Sequence, residues 1–452
     1  MVDWIPSQRH LESDHDFVNQ TSVPASPYLS RLPAMYFNTA RPIAVALLLS
    51  CQLPSVTASD WTQFRGPTGQ GHAEGSDVPT VWSETENVAW KVALSGYGWS
   101  SPVVAGNQIF VTTAVVNEEA KTTSLRTLCL NAADGKTAWD VEVFEKTGTP
   151  RIHEKNSHAS PTPVLEGDRL YVHFGTEGTA CLKTDGSVVW QNQEQVYTPV
   201  HGSGGSPVLI DELLIFCCDG GDKRYTIGLD KQTGKEVWKT PRELEPSRGF
   251  SFCTPTIIEA GGRVQAICPG SGGVWSYDPK TGKQLWRVAY GEGYSVVPRP
   301  VFGHGIVYVC SGFGDQQLFA IDPTGSGDVT ESHVNWKTKK GVPKSPSVLL
   351  VGDELYMVDD KGVASCLNAV SGDIHWQERL TGAFSASPVL ANGLIYFQNE
   401  TGVTTVVKPG IEYQEVAKNT LGDGKVRTFA SFAFVENAIL LRSETHLYRL
   451  QK

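Results

Sequence analysis

One phrase recurs along the chain at nearly constant spacing, and it constrains the fold more than any other feature. Residues 230–238 read DKQTGKEVW, and residues 278–286 read DPKTGKQLW. The two copies lie about 48 residues apart, inside the 20–50-residue period that indicates stacked repeats of one structural unit. Further copies end at Trp139, Trp190 and Trp376, and a degenerate copy ends at Trp336.

Each repeat contains the same four short segments. A Ser/Thr-Pro phrase such as GSPVL is followed by an alternating apolar segment such as RLYVHF, a third segment such as IGLDK, and a fourth that ends at the tryptophan. Short alternating segments rich in β-branched and aromatic residues, bounded by Gly, Asp or Pro, predict β-strands. In the D-x-x-T-G-K-x-x-W phrase the glycine closes a hairpin, and the tryptophan covers the neighbouring sheet. Charged residues make up only 19%, with 45 glycines and 26 prolines, which also favours sheet and tight turns.

The first-strand phrases number eight: six contain Ser/Thr-Pro, one reads PRPVF, and the last is a worn ASFAF. This count predicts an all-β, eight-bladed β-propeller. The eighth repeat, from about Arg427, holds only three strands before Lys452. A tryptophan strand at 86–94 is available to pair with this C-terminal blade and close the ring, which leaves only short edges. The tryptophans predicted to dock one blade on another are Trp90, Trp139, Trp190, Trp238, Trp286, Trp336 and Trp376.

The N-terminal region carries an export signal. Residues 1–34 are polar and are expected to be a start-site artefact or a disordered extension, and 35–58 have the three-part pattern of a secretory signal peptide. The apolar run is too short to span a bilayer. Cleavage after Ala58 is one outcome; acylation of Cys51, in LLSC, is the other. Either outcome predicts export to the periplasm or cell envelope.

The propeller domain is predicted to span 59–452. Its first part, 60–85, is expected to form a strap across one ring face, anchored by Trp61 and Phe64. The net charge of −10 argues against a nucleic-acid partner, because phosphate binding needs a basic surface. We expect a monomer that binds an envelope protein or a small ligand.

Most of the cysteines are expected to be packing residues. Cys129, Cys181 and Cys366 occupy one equivalent repeat position, each just before a leucine. Other repeats hold Gly228 or Ser276 there, so the position requires a small buried residue, a role that free cysteine fills well.

The repeat resembles the tryptophan-docking repeat of pyrroloquinoline-quinone (PQQ)-type propellers over about residues 61–452. That family includes exported quinoprotein alcohol dehydrogenases, which use PQQ and calcium, and BamB-like outer-membrane assembly scaffolds, which are non-catalytic. The resemblance implies an eight-bladed fold. It does not choose between these activities, because fold does not settle function.

Cys217 and Cys218 form a candidate cofactor-binding pair. They resemble the vicinal disulfide that covers the cofactor ring of quinoprotein dehydrogenases. However, LLIFCCDGG is typical of a regular second strand, in which successive side chains point to opposite faces. That interpretation predicts two independently buried thiols.

The loops that lead into the innermost strands are predicted to converge on one mouth of the central channel. Cationic and imidazole side chains interleaved with aromatic rings are suited to a flat anionic ligand. The alternative is a solvated channel mouth. The candidate ligand-binding residues are Trp99, His158, His201, Arg248, Tyr294, Arg299, Lys344 and Arg427.

Residues for catalysis are scarce in these loops. A calcium–PQQ site requires clustered carboxylate and amide oxygens and a catalytic Asp. Glu154 and Glu292 are the nearest acids, and neither has an evident carboxylate partner. The sequence therefore predicts a non-catalytic scaffold with no catalytic residue, metal site or cofactor. The alternative is a PQQ-dependent alcohol or sugar dehydrogenase using PQQ with calcium.

Overall fold

Eight sheets, each built on four antiparallel strands, are arranged as the blades of a β-propeller in the computed structural model, and two of them gain a short fifth strand in parallel. The structure describes residues 60–73, 77–148 and 152–452, all within the compact unit Val56–Lys452. The predicted extension 1–34, the signal segment 35–58 and Cys51 lie outside the described residues. In the described part of the chain, no helix has the length and apolar character needed to cross a membrane.

The blades follow one another in chain order, each running from its innermost to its outermost strand. Blades 1 to 4 comprise Val103–Ala105, Gln108–Asn117, Thr122–Asn131 and Thr137–Thr147; Val164–Glu166, Arg169–His173, Thr179–Lys183 and Val188–Asn192; Val208–Ile210, Leu213–Asp219, Arg224–Asp230 and Glu236–Pro241; and Thr256–Ala260, Arg263–Gly270, Gly273–Tyr277 and Gln284–Ala289. Blades 5 to 8 comprise Val301–Gly303, Ile306–Cys310, Leu318–Ile321 and Val334–Thr338; Leu349–Val351, Glu354–Val358, Val363–Asn368 and Ile374–Arg379; Val389–Ala391, Leu394–Gln398, Val403–Val407 and Glu415–Thr420; and Ala433–Val435, Ala438–Arg442, His446–Gln451 and Val88–Ala93. Short 3₁₀ turns occupy Gly175–Glu177 and Gly422–Gly424.

The ring closes as the repeat count predicts. The N-terminal strand Val88–Ala93 pairs antiparallel with His446–Gln451, with Val88 opposite Leu450 and Lys91 opposite Tyr448. Blade 8 is therefore built from both ends of the described chain. The prediction of an eight-bladed propeller closed by its N-terminal strand is confirmed.

The core lies in layers between adjacent blades, because alternate residues of each strand face opposite neighbours. In the second strand of blade 3, Phe216 packs toward blade 2 and Ile215 packs toward blade 4. This second strand is thus buried on both faces, against blade 2 on one side and blade 4 on the other.

An indole N–H joins each of six blade pairs. In each pair the fourth-strand tryptophan donates to a backbone carbonyl of the following blade. The pairs are Trp90–Ala132 (3.0 Å), Trp139–Thr184 (3.0 Å), Trp190–Lys231 (2.9 Å), Trp238–Pro279 (2.9 Å), Trp336–Ala369 (3.2 Å) and Trp376–Gly410 (3.0 Å).

Trp286 differs because the repeat that follows it is degenerate. The inserted segment Gly327–Asp328 pairs in parallel with the strand that carries Trp286. The indole is fully buried and donates to Gln265 Oε1 at 2.7 Å instead.

On the third strand a small residue stands opposite each docking tryptophan except Trp90, which pairs with Arg449. Cys129 pairs with Trp139, and Gly228 pairs with Trp238. A Cβ atom at Gly228 would lie 2.5 Å from the Trp238 ring, so the indole leaves room only for a small residue. The eight cysteines in the described chain are free thiols.

The leader segment, which is the described part of residues 60–85, first runs along the innermost strands of several blades. Trp61 bridges to Val104 in blade 1, and the N–H of Leu165 in blade 2 donates to the carbonyl of Thr62. Farther on, His72–Ala73 pairs in parallel with Val389–Ala391 of blade 7. Residues 61–73 therefore cross one end of the central channel.

Candidate functional site

A ring of hydroxyl groups surrounds the central channel and links the innermost strands. At six of the eight blade junctions, the residue before the Ser/Thr-Pro proline, or its equivalent, accepts a hydrogen bond from the backbone N–H of the corresponding residue one blade earlier. These bonds are Ser101 to Thr162 (3.0 Å), Thr162 to Ser206 (2.9 Å), Ser206 to Thr254 (2.9 Å), Arg299 to Ser347 (2.9 Å), Ser347 to Ser387 (3.0 Å) and Ser387 to Ser431 (2.9 Å). We call these residues the hydroxyl ring; blade 5 contributes Arg299 in place of a hydroxyl.

A cavity of about 480 Å³ opens at the channel mouth and reaches down to the hydroxyl ring. We call it the mouth cavity. Phe64, from the leader segment, lies against it from the opposite end of the channel. Such a concave, mostly apolar site with a few polar groups is the usual form of a ligand pocket. The aromatic side chains on its wall are Trp99, Phe250, Phe252, Tyr294, Phe313 and Phe429.

Two cations on the wall lie over aromatic rings. The Arg248 guanidinium sits 4.8 Å from the Tyr294 ring centroid and donates to Tyr294 Oη at 2.8 Å. Lys344 Nζ lies 5.0 Å from the Phe313 centroid. These contacts orient the cations without neutralising them, so both charges remain available to an anionic group.

A second group of polar side chains also lines the cavity. The His153 and His201 rings meet edge to face, with centroids 5.1 Å apart. Lys155 also lines the wall and pairs with Glu400 through an Nζ–Oε1 distance of 2.7 Å. The mouth cavity therefore presents both fixed positive charge and imidazole nitrogens.

Asp360 is the one carboxylate among the described residues on the cavity wall. Its two oxygens accept hydrogen bonds from the Lys344 backbone N–H and the Ser345 hydroxyl, each at 2.7 Å. It thereby holds the loop that carries Lys344.

The structure brings five of the eight predicted mouth residues together on the cavity wall: Trp99, His201, Arg248, Tyr294 and Lys344. The other three lie off the wall. Arg427 backs it, with its guanidinium 5.6 Å from the Trp99 centroid and an ion pair to Glu444 at 3.1 Å. His158 interacts electrostatically with Glu177 and Lys146, and burial lowers the pKa of its imidazole. Arg299 is buried at the hydroxyl ring.

Several wall residues escaped the sequence analysis. Phe250 and Phe252 lie between Arg248 and the blade 4 Thr-Pro phrase, so taking every aromatic residue of that stretch would have found them. Phe313 lies in a loop after a second strand, outside the segments that precede the Ser/Thr-Pro phrases. Phe64 was predicted as an anchor, and its contact with the mouth cavity depends on the path of the leader across the channel.

Cys217 and Cys218 lie on opposite faces of the second strand of blade 3, and neither lines the mouth cavity. Arg242 Nη2 donates to Cys217 Sγ at 2.9 Å. The pKa of the Cys217 thiol is lowered, first by a hydrogen bond with Cys268 and also by the Arg242 charge. Burial raises the pKa of Cys218. The two sulfur atoms thus have different surroundings and no shared ligand.

The residues of the mouth cavity do not fit calcium-bound PQQ. Calcium requires several oxygen ligands, and the Asp360 oxygens are already hydrogen-bonded to Lys344 and Ser345. Within the described ranges, no group of three or more His, Cys, Asp or Glu residues is placed to hold a metal ion. The wall is better suited to an aromatic or anionic group bound directly by side chains.

Comparison with known proteins gives one consistent family. A family model described as "Outer membrane protein assembly factor BamB" matches residues 72–195, 124–362 and 315–442. The protein of that name from Escherichia coli (strain K12) is 26% identical over 349 residues, which cover 72% of this chain and 80% of the relative. The one from Burkholderia pseudomallei is 27% identical over 190 residues, which cover 41% of this chain and only 45% of the relative.

Solved structures share the fold. BamB from Moraxella catarrhalis superposes with a TM-score of 0.56 at 15% identity, covering 81% of this chain and 99% of that one. The quinohemoprotein alcohol dehydrogenase from Comamonas testosteroni gives 0.61 at 10% identity, covering 86% and 80%. At these identities the likeness concerns the propeller fold alone.

Proposed function

The chain belongs to the BamB family of PQQ-repeat β-propellers, whose model matches it between residues 72 and 442, and we propose that it is a non-catalytic assembly scaffold of the cell envelope. The observation that carries the proposal is this family match, together with relatives named outer membrane protein assembly factor that align over 80% of their length. The secretory signal predicted at 35–58 supports export to that compartment.

The mouth cavity is the site that we propose for partner binding. Its wall combines aromatic rings with the cations Arg248 and Lys344, both held in place by neighbouring rings. A segment with an aromatic side chain next to a carboxylate would bury its ring on the wall and pair its charge with these cations. The hydroxyl ring beneath gives the site a rigid base.

Capture of partners from the cell envelope tests the proposal. The full-length protein, expressed in its own host and crosslinked before extraction, should recover a component of the outer-membrane assembly machinery in stoichiometric amount. The double variant Arg248→Gln, Lys344→Gln should recover at least about tenfold less, because it loses both wall charges. The control Arg379→Gln removes an exposed charge on the outer strand of blade 6 and should behave as the wild type. Equal recovery by the double variant would reject the cavity as the binding site, and recovery of no such component would reject the scaffold role.

A PQQ-dependent dehydrogenase is the less supported alternative, because the wall lacks the oxygen ligands that calcium needs. Titration of the purified protein with PQQ and calcium should give no saturable spectral change. A saturable change with reduction of a dye by an alcohol or sugar would instead establish the enzyme.

A further inference from the structure

Two arginine side chains lie buried where the leader segment meets the ring. Arg65, in the leader, is fully buried, and its Nη2 donates to the Gln70 carbonyl at 2.9 Å. Its Nε and Nη1 are buried and have no hydrogen-bond partner in the described structure. Arg299, 3% exposed, takes the place of a hydroxyl in the hydroxyl ring.

Arg299 holds the leader by hydrogen bonds. Its Nη1 donates to the Phe64 carbonyl at 2.6 Å, and its Nη2 donates to Gln63 Oε1 at 3.0 Å. Its Nε donates to the Pro255 carbonyl at 3.0 Å. These acceptors satisfy the donors of Arg299. Because they are neutral, they leave the positive charge of Arg299 uncompensated.

The two guanidinium groups lie against one short loop. A Cβ atom on Gly69 would fall 2.4 Å from Arg299 Nη1, and one on Gly71 would fall 2.7 Å from Arg65 Nη2. The glycines therefore let residues 69–71 pass directly over both side chains.

Neither guanidinium forms an ion pair with any residue that the structure describes. This contrasts with Arg242, which is equally buried and pairs with Asp219 at 2.5 Å. Burial, and then the charge of Arg299, lowers the pKa of Arg65 to about 9, and burial lowers that of Arg299 to about 10. Both groups stay protonated at neutral pH. Two buried positive charges without a counter-charge are costly, and proteins normally pair such charges.

We propose that Arg65 and Arg299 hold a small inorganic anion, a halide or an oxyanion, between the leader segment and the ring. The unpartnered Nε and Nη1 of Arg65 donate to the anion, and Arg299 supplies the second positive charge. Because Arg65 belongs to the leader and Arg299 to blade 5, the bound anion fixes the leader across the end of the channel. This site is separate from the mouth cavity and does not depend on the proposed function.

Anion-dependent thermal unfolding tests the proposal. The full-length protein is melted at constant pH and ionic strength, with chloride or phosphate replacing a bulky organic anion such as gluconate. The melting temperature of the wild type should rise saturably, by about 2 °C or more, with at least one of the two anions. A response to chloride indicates a halide, and a response to phosphate alone indicates an oxyanion; either supports the site.

The variant Arg65→Met should lose this dependence. The matched control is Arg442→Met, which removes another buried guanidinium whose Nη1 and Nη2 donate to the carbonyls of Ser100 and Thr112. It should melt lower but keep the wild-type anion dependence. An equal anion response in the wild type and Arg65→Met, or no response in the wild type, would overturn the proposal.

A crystallographic measurement covers the case in which Arg65→Met does not fold. Wild-type crystals soaked in bromide should show an anomalous peak within hydrogen-bond distance of Arg65 Nε or Nη1. If only water is found there, and phosphate-soaked crystals also show no oxyanion, the site does not exist.

Discussion

The indole ring of Trp82 stacks on the phenol ring of Tyr396, with centroids 6.2 Å apart and ring planes 13° apart. In blade 6 a tryptophan of the blade itself covers the equivalent tyrosine: the Trp376 ring of the fourth strand lies 6.1 Å from the Tyr356 ring of the second, with the planes tilted by 52°. Blade 7 carries Ala417 at the tryptophan position, opposite Val406. The leader, which lies outside the blade 7 repeat, thus supplies the tryptophan that blade 7 lacks. The Trp82 backbone N–H is held there by Asn419 Oδ1 at 2.9 Å.

Trp82→Ala should lower the free energy of unfolding by about 3–5 kcal/mol, because it removes a large ring that is 2% exposed and leaves a cavity against blade 7. Equilibrium urea unfolding measures this. The neighbouring Val81 is 49% exposed, so Val81→Ala should change the value by less than about 0.5 kcal/mol. Similar losses in the two variants would mean that Trp82 does not substitute for the missing tryptophan.

The turn glycine of the repeat phrase is predicted to serve the docking tryptophan as well as the turn. Gly234 has a φ of +72°, and a Cβ there would lie 2.4 Å from Trp190 Cε3. Gly167 has a φ of +58°, and a Cβ atom added there would have no other atom within 4 Å. Both Gly→Ala changes carry backbone strain, but only Gly234→Ala displaces an indole. Gly234→Ala should therefore be less stable than Gly167→Ala by about 2 kcal/mol in urea unfolding. Equal destabilisation would show that the turn conformation alone requires glycine at 234.

Cys217 is expected to be the most reactive thiol of the described chain. Its pKa is lowered by Cys268 and by Arg242, and its side chain is partly exposed, whereas the other described cysteines are buried. Thiolate character and access together set the rate of alkylation. Brief treatment of the folded protein with iodoacetamide, followed by peptide mass spectrometry, should label Cys217 first. Cys217→Ser should abolish this early labelling and Cys218→Ser should not; early labelling of Cys218 would contradict the assignment.

The free energy of unfolding should fall in mild acid, partly because the buried imidazole of His173 resists protonation in the folded state. Its imidazole is buried against Phe216 and bonded to Thr179 Oγ1 at 2.8 Å, and burial lowers its pKa to about 3. In the unfolded chain the pKa is about 6.5, so below that pH the unfolded state binds a proton that the folded state does not. This contribution is fully present above pH 6.5 and is lost as the pH falls toward 3, at up to about 1.4 kcal/mol per pH unit.

Urea unfolding between pH 6.5 and 4.5 measures that slope. His173→Gln should reduce it, and His375→Gln, at an exposed position, should leave it unchanged. The hypothesis fails if His173→Gln retains the wild-type slope.

The repeat phrase determined the architecture because its information is local. The strand alternation, the turn glycine and the spacing of the tryptophans are properties of about 50 consecutive residues, and together they predict the blade count and the closing strand at Trp90. The small residue opposite the tryptophans of blades 1 to 6 could be identified for the same reason. The Ser/Thr-Pro phrases also placed Arg248 and Lys344 at one channel mouth, because each precedes an innermost strand.

Only the tertiary structure decided what the leader does and which mouth residues share a wall. Arg299 was predicted at the mouth, yet it occupies the hydroxyl position of blade 5 and binds the Phe64 carbonyl, 235 residues away in the chain. Trp82 lies in no repeat phrase, and its contact with Tyr396 of blade 7 joins residues that are far apart in the chain. These contacts depend on the path of one irregular segment across several blades. No local periodicity encodes such a path, whereas the packing of buried side chains in the closed ring fixes it.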